Sequence, residues 1–154
     1  MKTIISILMF FIFISISICK GQQNSNLSES SDKKLKEGQI WKYKTRPGEE
    51  NSTITILKIE RITGENGRPV TIVFVQINGL KIRDIYRPDV QVDHIQPYPF
   101  QMKTLFNSLT QLVSENNKIP DFEATYNKWR GGKGAYLVVN IIKVINDFEL
   151  NSVK

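Results

Sequence analysis

Few residues in this sequence have types suited to bond chemistry, and those few stand apart. His94 is the only histidine and Cys19 the only cysteine. A zinc site would therefore have to be built almost wholly from carboxylates, which zinc disfavours. Asp93-His94 has the composition of an acid-base pair. Neighbours in an extended segment point to opposite faces, however, so these two are not expected to converge. Gly131-Gly132-Lys133-Gly134 invites comparison with a phosphate loop, but it has no Gly four residues before the Gly-Lys pair and no Ser or Thr after the Lys. It reads as a flexible link after a helix. Carboxylates for glycosidase-type chemistry exist at Glu49, Glu50, Glu60, Asp93 and Glu123, with nothing in the sequence to set any two at a working separation. No serine sits in a Gly-x-Ser-x-Gly elbow. These absences point to a protein that is not an enzyme and uses no cofactor.

One constellation suits recognition. Trp41, Tyr43 and Thr45 alternate along an extended segment and so share a face, and Arg46 and Glu49 lie in the turn that follows. The ordinary reading is a sheet-face aromatic pair beside a turn ion pair. The functional reading is an aromatic contact patch of Trp41 and Tyr43 with Arg46 and Glu49 as polar anchors, the residue types that dominate binding hot spots. The segment Trp41-x-Tyr43-x-Thr45-Arg46-Pro47-x-Glu49-x-x-Ser52-Thr53, with Pro120-Asp121-Phe122-Glu123 and Tyr126-Asn127-x-Trp129, resembles a group of small, uncharacterised bacterial exported proteins of one domain. The resemblance covers about a third of the chain, implies a bacterial single-domain protein, and brings no activity with it.

The N-terminus directs the chain out of the cytoplasm. Lys2 precedes an apolar run from Ile4 to Ile18, and small and polar residues follow from Cys19 to Gln23. The run falls short of the roughly 20 apolar residues of a membrane span, so residues 1–21 read as a cleaved signal peptide. Two processing routes stay open. Cleavage after Gly21 leaves a soluble protein with no cysteine. In the other, Ile16-Ser17-Ile18-Cys19 acts as a lipobox and Cys19 becomes a lipidated N-terminus, although Ile18 is bulky for that position. The expected location is periplasmic or extracellular, with membrane contact only through the signal segment or an anchor at Cys19. Neither route leaves a disulfide, so the core alone must hold the fold. If the source is eukaryotic, Asn26 and Asn51 are glycosylation acceptors.

Once Lys2 and Lys20 leave with the signal, the net charge of +6 falls to +4. The basic residues are dispersed, and no aromatic-basic stripe accompanies them, which argues against nucleic acid.

The remainder must position whatever recognises a partner. Residues 22–37 are polar apart from Leu27 and Leu35 and read as a flexible tether, leaving one domain over 38–150. Ile40–Thr45 and Ser52–Ile62 are rich in β-branched and aromatic residues and predict a hairpin around Arg46–Asn51. Val70–Ile77 carries apolar residues at both parities, as a strand covered on both faces does. Asn78-Gly79 predicts a type I′ turn into a fourth strand, Leu80–Tyr86. Val90 and Val92 suggest a fifth, and the prolines of His94–Pro99 are expected to end regular pairing. Met102, Leu105, Phe106, Leu109, Leu112 and Val113 then fall at helical spacing. Asp121 can cap a second helix carrying Phe122, Tyr126 and Trp129 and ended by Gly131-Gly132. Asn140 can cap a last one with Ile141, Val144, Ile145 and Phe148.

Strands followed by helices define an α+β domain, an antiparallel meander of four to five strands with two to three helices packed on one face. The expected function is non-enzymatic binding of a protein partner, as an inhibitor or immunity-type module. The alternative is a small-ligand carrier with an apolar pocket formed by Val70, Ile72, Phe74 and the Met102 helix, and an enzyme comes third.

Overall fold

The structure, a computed structural model, describes residues 35–83, 87, 89–132 and 134–151. The signal segment, Cys19 and residues 22–34 lie outside them, as do residues 84–86 of the expected fourth strand. Eight elements follow in order: β1 (Ile40–Tyr43), β2 (Thr53–Thr63), β3 (Pro69–Arg83), β4 (Gln91–Gln101), α1 (Met102–Phe106), β5 (Leu109–Ser114), α2 (Glu123–Gly131) and α3 (Ile141–Asn151). The strands form one antiparallel sheet in the order β4-β3-β2-β1-β5. The fold is thus α+β, a meander followed by helices, as the residue pattern indicates.

β3 is the organising strand because both its faces are apolar. Val73, Val75 and Ile77 point into a large core with Trp41, Tyr43, Ile54 and Ile56, which α3 closes with Ile141, Val144 and Ile145. Ile72 and Phe74 point the other way and pack, with Leu57, against Phe122, Tyr126 and Trp129 around α2. The helices therefore cover both faces of the sheet, not the single face expected. The two-sided arrangement also fills the space assigned to a carrier pocket. Ile72 and Phe74 are fully buried against α2, and Met102 belongs to the opposite core.

Three further expectations are corrected. Asn78-Gly79 does not reverse the chain: β3 runs through it to Arg83, and the pairing with β4 slips between Asn78 and Ile82. Gly79 has φ +74°, and a Cβ there would stand 3.3 Å from Ser52 Cα. The positive φ thus serves a bulge where β3 outruns the start of β2 and passes the 46–52 turn. Gly79→Ala should cost about 1–2 kcal/mol through that strained φ and close approach, and chemical denaturation would measure it. An unchanged midpoint would remove the bulge from the account.

Second, β4 does not end at its prolines: Pro97 falls in a register shift between Ile95 and Tyr98, and pairing resumes with Tyr98 opposite Val75 and Pro99 opposite Phe74. It lies at the sheet edge, where a missing N–H is tolerated. Third, the helical stripe from Met102 to Val113 yields only one turn of helix. The chain leaves α1 at Phe106, and Leu109–Ser114 pairs with β1 as β5. Asn107, Ser108 and Thr110 are weak helix formers. The open edge of β1 offers backbone partners that a longer helix would leave unpaired.

The domain also begins earlier than Gly38. Leu35 is buried in the main core, and Glu37 Oε1 accepts a hydrogen bond from Ile59 N at 2.9 Å.

Candidate functional site

Trp41 and Tyr43 do share a face, but it is the interior one: they are 3% and 4% exposed. Trp41 Nε1 donates to Gln39 Oε1 at 3.0 Å. Ser52 Oγ donates to the Asn78 carbonyl at 2.6 Å, so the 2.8 Å contact between Tyr43 and Ser52 has the phenol as donor. Burial pushes the Tyr43 phenol above its ordinary range. Neither aromatic side chain is available to a partner, which removes the contact patch that they were expected to form.

Arg46 and Glu49 form the fork-shaped pair of a guanidinium and a carboxylate. Nε donates to Glu49 Oε2 at 2.9 Å and Nη2 to Oε1 at 2.6 Å. Nη1 reaches α3, donating to Glu149 Oε2 at 2.7 Å and Asn146 Oδ1 at 3.1 Å. Glu49, 3% exposed, also accepts from Lys81 N at 3.0 Å. Burial alone would raise the Glu49 carboxyl, but the donors from Arg46 and Lys81 hold it below its ordinary value. Hydrogen bonds to Glu49, acting against burial and joined by those to Glu149, stabilise the charged form of Arg46 further. Every arm of the guanidinium is engaged within the fold, so Arg46 staples the first turn to the last helix.

His94 and Asp93 do meet, contrary to expectation, with Nδ1 2.6 Å from Oδ1. The His94 contact lowers the Asp93 carboxyl. Both side chains are exposed, at 50% and 75%. Among the described residues no group of three His, Cys, Asp or Glu side chains could hold a metal.

An open groove lies elsewhere. A groove of about 680 Å³ runs between the end of β2 with its following turn, which contribute Glu60, Ile62, Gly64 and Glu65, and the α2 terminus with residues 134–138, which contribute Trp129, Arg130, Tyr136 and Val138. The α2 wall is anchored by rings. Phe74 meets Trp129 edge-on at 4.8 Å and Tyr126 at 5.4 Å. Gly132 N donates to the Trp129 carbonyl and ends the helix. Gly134, at φ +62°, then turns the chain so that the Ala135 carbonyl accepts from Trp129 Nε1 at 2.6 Å. The glycines thus build a wall; Lys133 lies outside the described residues.

At the groove's rim, Tyr126 Oη donates to Glu60 Oε2 at 2.6 Å and accepts from Arg130 Nη1 at 2.7 Å, and Arg130 stands 3.2 Å from Glu60 Oε1. The Tyr126 hydrogen bond, aided by the Glu60 charge, favours the charged form of Arg130. Lys58 Nζ sits 4.8 Å from the Tyr126 ring centre. The sequence reading placed Tyr126 and Trp129 in a core stripe, which is half of their role, and did not single out Arg130. The spacing Tyr126-x-x-Trp129-Arg130 could have drawn attention to it, since positions i, i+3 and i+4 share a helix face. No family model, curated protein or solved structure matches the chain.

Proposed function

We propose that this chain is an exported, non-enzymatic binding protein of the inhibitor or immunity type, working in the periplasm or outside the cell, and that it meets a protein partner at the groove between the β2–β3 turn and the α2 terminus. One observation carries the reading: Trp129, Arg130 and Tyr136, the residue types that concentrate binding energy, gather at one open groove. Val138, 60% exposed, adds an unburied apolar contact. The ionisable pair at the rim favours recognition over proton transfer, because Glu60 and Arg130 neutralise each other and both engage Tyr126. The bacterial origin suggested by the sequence resemblance belongs to the same proposal, as does processing to a soluble form in preference to a lipid anchor at Cys19.

A photo-crosslinking residue at position 138 tests the site in the native host. Adducts to one protein from position 138, absent from position 111 on β5, are the expected result. Adducts to that protein from position 111 and none from position 138 would move the interface away from the groove.

A further inference from the structure

We propose a second binding site, independent of the groove, for a phosphate group in the pocket enclosed by the end of β1, the α1–β5 connection and the start of α3. The pocket measures about 310 Å³ and is lined by Lys44, Thr104, Asn107, Ser108, Asn140 and Ile142. Five of these six carry hydrogen-bond donors and none is a carboxylate, so the lining is suited to an anion.

Ser108 shows that the pocket is more than a surface dent. It is 6% exposed. Its backbone is satisfied, with N donating to the Leu105 carbonyl at 2.9 Å and the carbonyl accepting from Lys44 N at 3.0 Å. Its hydroxyl has no hydrogen-bond partner among the described residues. Buried polar groups are normally paired, and among the described residues no fully enclosed side-chain oxygen lacks a partner. The Ser108 hydroxyl is therefore reached from the pocket that it lines.

The other donor residues line the same pocket. Asn140 Oδ1 accepts from Lys143 N at 2.8 Å, which commits the oxygen to capping α3 and leaves Nδ2 as the free end of the amide. Lys44 has no ion pair or side-chain hydrogen bond among the described residues. α3 is 11 residues long with no acidic residue in its first turn. Its leading N–H groups, at Ile141 and Ile142, have no acceptor within the helix, and its dipole adds positive potential at this end. A lysine ammonium, hydroxyl and amide donors from several directions, and a helix N-terminus together suit a tetrahedral anion with several acceptor oxygens. The volume leaves room beside the phosphate for a small carrier, so both the free anion and a small phosphate monoester have this chemistry.

The test is titration of the mature protein, followed by amide NMR, with inorganic phosphate and separately with glycerol 3-phosphate, at an ionic strength held constant with sodium chloride. Saturable shifts at Lys44, Ser108, Ile141 and Ile142 are expected. Lys44→Gln and Ser108→Ala should each weaken the affinity at least tenfold without lowering the melting temperature, since neither side chain has a partner to lose. Tighter binding of glycerol 3-phosphate would identify a monoester as the ligand, and equal binding the free anion. No saturable response to either compound, unchanged affinity in both variants, or shifts confined to another surface would overturn the site.

Discussion

Arg46→Ala is expected to destabilise the domain by about 3 kcal/mol at neutral pH, although Arg46 sits in a turn where an exposed ion pair would contribute about 0–1 kcal/mol. The difference lies in Glu49. Its carboxylate is 3% exposed, and removing the guanidinium leaves it buried with Lys81 N as its remaining donor. Breaking a buried pair in this way costs more than the pair itself contributes. The effect should depend on pH with a definite sign. In the wild type the Glu49 carboxyl titrates below its ordinary value of 4.5, so its contribution is present above that value and is lost as the pH falls through the lowered one. In the variant, burial without Arg46 would raise the same group above the ordinary value. Acidification then relieves a penalty. The stability gap between the two proteins should narrow from pH 7 to pH 4 in urea melts. A gap that stays constant or widens would show that Glu49 is not the group left stranded.

Phe74→Ala should be at least as severe, costing about 3–5 kcal/mol, the usual range for removing a buried phenyl ring. Phe74 is fully buried at the centre of the smaller core, in ring contact with Phe122, Tyr126 and Trp129. No residue on α2 is itself buried, so the helix depends on this contact more than α3 depends on any one residue. The variant should lose near-ultraviolet circular dichroism from Trp129 and show faster amide exchange in α2 than in α3. Uniform loss of protection across both helices would mean that the two cores open as one unit.

Much of the architecture could be read from residue patterns, and the misreadings share a physical cause. The mixed parity of Val70–Ile77 revealed a strand with two covered faces because only such a strand tolerates apolar residues at successive positions. Gly131-Gly132 and Asn140 marked helix limits through local backbone chemistry. Leu109–Ser114 went astray because its apolar residues fit helical spacing, while its actual state is decided by the open edge of β1, far away in sequence. Asn78-Gly79 was understood as a positive-φ position, but that conformation serves a bulge as readily as a hairpin turn. The site suffered most. Trp41 and Tyr43 alternate as a surface pair would, and nothing in that alternation tells which side of the sheet is inside. Arg46 looked like a free anchor because its third partner, Glu149, lies at the far end of the chain.

That distance bears on when the protein can fold. Ile40 and Trp41 form one ladder with β2 and their other with Ser114 and Leu112, and Arg46, the charge beside Glu49, gains its remaining partners from α3. β1 thus waits for β5, far along the chain, before both its edges are paired. Contacts of such long sequence separation are entropically late. Under the export proposed above, a chain threaded N-terminus first through a membrane would remain open for most of its passage, and would close only when α3 arrived.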